Sequence, residues 1–177
     1  DDIVVYDTLG LVSAARIWWM LRTFRAARVR VLDGGLPAWR AAGGPMASGP
    51  RTPPKPARFQ ARLDADAVVD RTAVACAADA GVQVLDARSA GRFAGTAPEP
   101  RPGLRGGHMP GACNLPFADI LTADSTMKRG TALETAFREA GIDLDRPVIT
   151  SCGSGVTAAI LSLGLAALGR PSRLYDG

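Results

Sequence analysis

"ITSCGSGVTAAILSLGLAALG", residues 149–169, holds no charged side chain and carries one cysteine, Cys152, near its start. A short β-branched run, a thiol, Gly153-Ser154-Gly155 and then an apolar stretch of helical length read as strand, turn and helix. Glycines at such a turn let successive N–H groups converge on one point. The start of the helix adds roughly half a positive charge there. A thiol in that position is favoured as the thiolate, the form that acts as a nucleophile. The alternative reading makes Cys152 a small buried hydrophobe. The uncharged run is also about as long as a membrane span, but Gly153, Ser154, Gly155, Thr157, Ser162 and Gly164 interrupt it. A buried helix of an α/β domain accounts for it better.

The pattern around this stretch repeats the alternation of strand and helix. Downstream, Arg173 to Tyr175 reads as a last strand. Upstream, Val82 to Leu85 is a strand ending at "DARS", "ACNLPF" (112–117) a short strand, and Leu133 to Ala140 an amphipathic helix stopped by Gly141. Asp66 to Ala80 is predicted helical. Residues 88–111 form a long Gly/Pro/Arg-rich loop, and a loop of that length inside a compact domain is usually functional or disordered. Nearer the start, Ile3 to Tyr6 and Val29 to Leu32 read as strands. Between them Ser13 caps a helix over Ala14 to Phe24, apolar on nearly every face and so expected to be buried on several sides. A short helix, "LPAWRAAG", ends at Gly43 or Gly44. The fold class is therefore α/β, a mostly parallel sheet with helices on both faces.

Pro45, Pro50, Pro53, Pro54 and Pro56 exclude a helix or central strand between the two halves. The expected division is 1–44, a Pro-rich linker 45–58, and 59–177. An internal repeat supports it. Asp7 with "SAA" (13–15) parallels Cys152 with "TAA" (157–159), and "VLDGG" (31–35) parallels "LYDG" (174–177), at offsets of 143–145 residues. Two similar domains in tandem are expected, the first incomplete and the second lacking its end.

Composition narrows the function classes. Hydrophobic residues are 47% and charged residues 21% of 177, as in an ordinary globular chain. A net charge of +4, scattered among arginines, argues for no nucleic-acid surface, though it suits anionic substrates. Cys76, Cys113 and Cys152 form no CxxC and no pairing pattern, so a reducing, cytoplasmic compartment is expected. With one histidine, His108, no metal-ligand cluster is expected. Nor is a cofactor implied, because the thiol supplies its own nucleophilicity. A cysteine phosphatase would place arginine six residues after the nucleophile, where Ala158 stands. A GxSxG elbow would need glycine at 152 and 156, where Cys152 and Val156 stand. A Cys-His hydrolase would need His108 beside Cys152.

"CGSGVTA" (152–158), "DARSAGRFAGTAPEPR" (86–101), "GHMPGACNLPF" (107–117) and "LYDG" resemble the catalytic domain of two-domain rhodanese-type sulfurtransferases. "VVYD", "SAARIWWMLR" and "VLDGGLPAW" resemble the second half of their non-catalytic N-terminal domain. The loop Cys-Gly-Ser-Gly-Val-Thr is similar to that of the 3-mercaptopyruvate subtype. It lacks the Arg-Lys pair that the thiosulfate subtype offers a dianionic donor.

The resemblance implies that Cys152 carries sulfur from 3-mercaptopyruvate as a persulfide, releases pyruvate and passes the sulfur to cyanide or a thiol acceptor such as thioredoxin or a small dithiol. It implies that Ser154 belongs to a proton relay and that Arg92 and Arg101 hold the substrate's carboxylate and carbonyl. The backbone N–H groups of Gly153, Gly155, Val156 and Thr157 would stabilise the persulfide's outer sulfur. The family's relay also draws an aspartate and a histidine from the front half of the N-terminal domain, which has no match here. The alternatives are thiosulfate specificity and a non-catalytic interaction module of the same fold. His108, in the "GH-x-PG" turn, is expected to be structural. Cys76 and Cys113 are expected to pack, and Trp18, Trp19 and Trp39 to lie in the core.

Overall fold

The computed structural model describes residues 2–50 and 55–176. Asp1, Gly177 and, within the proline-rich stretch, Pro53 and Pro54 lie outside the described residues. Two parallel sheets frame the molecule. In the smaller, β1 (Ile3–Val5) pairs with β2 (Val29–Val31) in the register Ile3 to Val29. The chain crosses between them through α1 (Ala14–Thr23), and α2 (Gly35–Ala41) follows β2. In the larger, five strands run in the order β3-β7-β6-β4-β5, all parallel. They are β3 (Val68–Val69), β4 (Gln83–Asp86), β5 (Cys113–Asn114), β6 (Val148–Ser151) and β7 (Ser172–Tyr175). Four helices accompany them: α3 (Arg71–Ala75), α4 (Ala90–Ala94), α5 (Gly130–Glu139) and α6 (Val156–Ala167).

The central strand β6 is buried at every residue, which is why it reads as a continuous apolar and hydroxylated run. Side chains alternate across the sheet. On one face Val84 and Ile149 meet Val69, Val74 and Ala77. On the other, Leu85 and Val148 join the larger core of Leu133, Phe137, Ile160, Leu161 and Leu165. Leu11, Ala15 and Trp19 belong to that same core, so α1 packs against α6. The uncharged run is thus a helix enclosed by protein, and among the described residues no helix is long and apolar enough to cross a membrane. Gly164 lets α6 approach Ile120 and α5 on another side, since a Cβ there would stand 3.0 Å from Ile120 Cδ1 and 3.3 Å from Phe137 Cζ. The hydroxyls of Thr150, Ser162 and Ser172 satisfy one another inside this layer, Thr150 to Ser162 at 2.8 Å and Ser172 to Ser162 at 3.1 Å.

Several expectations are corrected. Residues 66–80 are not one helix. Asp70 accepts the N–H of Ala73 at 2.8 Å and opens the short α3, and Val68-Val69 ahead of it pair with Leu174-Tyr175 of β7 as an edge strand. The 88–111 loop contains α4. Helix α1 buries one stripe, Ala14, Ala15, Trp19 and Thr23, while Ile17 and Met20 are 44% and 38% exposed. Its cap is not the Ser13 side chain. Asp7 Oδ2 accepts the N–H groups of Ser13 and Ala14 at 2.7 and 2.8 Å, and Oδ1 that of Leu9 at 3.0 Å. Burial pushes the Asp7 carboxyl up, but these donors outweigh it and leave it below the usual range. Asp7→Ala is expected to cost about 1 kcal/mol of stability, as for other helix-capping residues, measured by urea unfolding; Ser13→Ala costs less. Trp39 is 38% exposed and donates to the Pro45 carbonyl at 3.1 Å rather than joining the core. Cys76 is exposed, whereas Cys113 is partly buried against the larger core.

Candidate active site

The turn after β6 stands at the carboxyl edge of the sheet, where an open parallel sheet binds ligands. Cys152 is half-buried there, packed on one side against the larger core. Ser154 N–H donates to its Sγ at 3.4 Å. Gly155 ends the turn at φ +71°, a left-handed conformation that suits glycine, and caps α6 without a side chain. Among the described residues, the N–H groups of Gly153, Gly155, Val156 and Thr157 meet no protein acceptor. Unpaired donors at a helix N-terminus, beside a thiol, make a cradle for an anion carried on sulfur.

Arg92 reaches this cradle from α4. Its Nη2 lies 3.0 Å from where a Cβ of Gly153 would sit. The same guanidinium donates through Nε and Nη2 to Glu99 Oε2 at 3.2 and 2.5 Å. Glu99, its side chain 4% exposed, also accepts from Arg88 Nη1 at 2.8 Å. Arg88 in turn holds the buried Asp86 at the end of β4, with Nη2 to Oδ2 at 2.7 Å, and donates to the Gly107 carbonyl at 2.7 Å. The chain Asp86–Arg88–Glu99–Arg92 braces the 88–107 loop and presents one guanidinium to the cradle. Of the five N–H bonds of Arg92, Glu99 engages two, leaving donors for a bidentate anion.

Sequence reasoning singled out Arg92 but missed Asp86, Arg88 and Glu99. All three stood inside the quoted "DARSAGRFAGTAPEPR"; charged residues clustered in a Gly/Pro-rich loop were the available signal. Arg101 is exposed and forms no hydrogen bond or ion pair among the described residues, so nothing in the geometry joins it to the cradle. The Ser154 side chain is exposed, and its backbone, not its hydroxyl, meets the thiol. His108 stacks on Phe93, ring centroids 3.8 Å apart, with Nδ1 2.8 Å from the Phe93 carbonyl. It pins α4 and does not approach Cys152 through any hydrogen bond. Among the described residues no group of His, Cys, Asp and Glu is arranged to hold a metal ion.

The hydrogen bond from Arg92 holds the Glu99 carboxyl below its ordinary 4.5, against burial, and the bond from Arg88 adds to it. A carboxyl depressed in the folded state stabilises above its unfolded value and loses that contribution as pH falls through the folded one. Thermal stability is therefore expected to drop below about pH 4.5 more steeply in the unaltered chain than in Glu99→Gln, read as Tm against pH.

Fold and cradle together define a parallel α/β domain that carries a thiol and unpartnered N–H donors at a strand-to-helix turn. The comparisons make the class particular. The rhodanese-like domain family matches residues 71–177, and the chain belongs to that family. It is 42% identical to the 3-mercaptopyruvate sulfurtransferase of Rattus norvegicus over 99% of this chain and 60% of the relative. It is 44% identical to the enzyme of the same name from Escherichia coli K12 over 99% of this chain and 62% of the relative. The crystal structure of SseA from Escherichia coli, described as a 3-mercaptopyruvate sulfotransferase with the "rhodanese" fold, superposes with a TM-score of 0.87 at 39% identity, covering all of this chain and 66% of that one. The chain spans about 60% of the length of the curated relatives it matches.

Proposed function

We propose that the protein is a sulfurtransferase that takes sulfur from 3-mercaptopyruvate on Cys152 and delivers it to a thiol acceptor. The observation that carries this reading is the set of unpartnered N–H groups on the turn that follows a half-buried thiol, in a chain 42–44% identical to enzymes of that name. In the first half-reaction the Cys152 thiolate attacks the donor sulfur. An S–S bond forms, the C–S bond breaks, and its electron pair becomes the enolate of pyruvate, which takes a proton. The Ser154 hydroxyl, on the same turn, relays that proton. The persulfide, charged on its outer sulfur, is stabilised by the N–H groups of Gly153, Gly155, Val156 and Thr157, as an oxyanion hole stabilises oxygen. Arg92 pairs with the donor carboxylate through the N–H bonds that Glu99 leaves free. Arg101, the second arginine that the resemblance to the family implies, is proposed to hold the donor carbonyl.

In the second half-reaction a thiolate, from a small dithiol or a thioredoxin-type protein, attacks the outer sulfur and restores Cys152. Three free thiols suit a reducing compartment such as the cytoplasm. The proposed division is an N-terminal non-catalytic part over 1–44, a linker over 45–58 and the catalytic part over 59–177.

The test is pyruvate release from 3-mercaptopyruvate with a dithiol acceptor, beside thiosulfate as donor. Faster turnover of 3-mercaptopyruvate is expected, because the turn itself offers no cation to a dianion. Faster turnover of thiosulfate would overturn the donor assignment. Silence toward both, in this chain and in one extended to the length of its relatives, would leave an interaction module.

A further inference from the structure

A second ion pair touches the cradle and takes no part in the chemistry above. Arg16 lies on α1, yet its guanidinium grips Asp176 at the end of β7, Nη1 to Oδ1 at 2.9 Å and Nη2 to Oδ2 at 2.8 Å. The pair presses on the backbone of the active-site turn. A Cβ on Gly155 would stand 2.5 Å from Arg16 Nη1 and 2.6 Å from Asp176 Oδ1. The guanidinium is itself fixed, its Cζ 4.6 Å from the ring centroid of Trp19, which is 7% exposed in the core shared by α1 and α6. With the two side chains 20% and 33% exposed, solvent screens much of their attraction. The arrangement therefore acts through shape. It packs a rigid planar pair against the one residue whose left-handed φ turns β6 into α6.

We propose that Arg16 and Asp176 are positioning residues for the cradle: their forked pair holds Gly155 and thereby keeps the turn's N–H groups aimed at the sulfur carried on Cys152. This deepens the sulfurtransferase reading and rests on it. The charges facing the turn are Arg92 at Gly153, paired with Glu99 and backed by Arg88 with Asp86, and Arg16 with Asp176 at Gly155. Each cation is matched by a carboxylate, so removing both partners of the Arg16–Asp176 pair leaves the net charge of the cradle unaltered and isolates its geometry. Only arginine supplies two parallel N–H bonds to a carboxylate; lysine offers a point charge.

The experiment compares R16Q, R16K, D176N and the double variant R16Q/D176N in the full chain. It reads kcat and KM for 3-mercaptopyruvate, the rate of Cys152 alkylation by iodoacetamide at fixed pH, and Tm. Small misplacements of reacting groups cost up to about a hundredfold in rate. R16Q is expected to lower kcat and the alkylation rate each about tenfold, with KM changed less than twofold. R16K recovers part of the loss. The double variant falls no further than R16Q, because the two residues act as one unit. Unaltered kcat and alkylation in R16Q overturn the proposal. So do losses that multiply in the double variant, or a kcat loss that follows Tm with no recovery in R16K. Iodoacetamide needs no sulfur donor, so if neither this chain nor one extended to the length of its relatives turns over either donor, the sulfurtransferase reading falls while the alkylation series still decides the positioning role.

Discussion

Cys152→Ser is expected to abolish sulfur loading and to lower turnover of 3-mercaptopyruvate by at least about a thousandfold, as for loss of a covalent nucleophile in other enzymes. The exchange nearly preserves volume at a half-buried position, so the fold and its Tm should survive. What changes is the chemistry. At neutral pH a serine hydroxyl is almost wholly protonated, and the cradle holds no histidine bonded to it that could take the proton. An oxygen would also have to accept sulfur across an S–O bond, which lacks the stability of the disulfide-like S–S bond of a persulfide. Intact mass after incubation with the donor reads the result directly, since the unaltered chain gains one sulfur and the variant none. Cys113 packs beside Gly141, its Sγ 3.6 Å from where a Cβ would sit, and Cys76 is exposed far from the turn in sequence. Serine at either position should leave loading intact. Loading retained in Cys152→Ser would transfer the role to one of those thiols.

Arg92→Leu is expected to raise KM for 3-mercaptopyruvate roughly thirtyfold, the scale of one lost charge-assisted pair. Alkylation of Cys152 by neutral iodoacetamide should change little, because no carboxylate is being held. The substitution also leaves Glu99, buried to 4% exposure, with Arg88 as its remaining partner. A loss of about 2 kcal/mol in stability is expected from the broken charged hydrogen bonds, and urea unfolding measures it. Glu99→Gln separates the two effects. It weakens the brace but leaves the guanidinium, so stability should fall with a smaller change in KM. If Arg92→Leu lowered stability with KM untouched, Arg92 would be part of the brace alone.

The strand, thiol, turn and helix from Val148 to Ala167 were legible because their cause is local. β-branched residues extend, Gly155 takes φ +71°, and an uncharged run of helical length can only be buried. The helix expected over 66–80 failed for a complementary reason. Val68-Val69 followed by Val74 and Ala77 fits either periodicity, and only the vacant edge of β7 makes the first pair a strand. The cap of α1 was assigned to Ser13 by adjacency, whereas Asp7 reaches it after the chain has turned back at residues 8–12.

Sequence alone determined the family, the parallel α/β class and the place of the thiol, because each is written in contiguous residues whose conformations follow from their own side chains. Tertiary structure alone decided how that thiol is surrounded. Glu99 joins Arg88 and Arg92 across a folded loop, and Arg16 meets Asp176 across 160 residues. Charged partners are chosen by proximity in space, and that proximity exists only once the apolar faces of α1, α6 and the sheet have packed together.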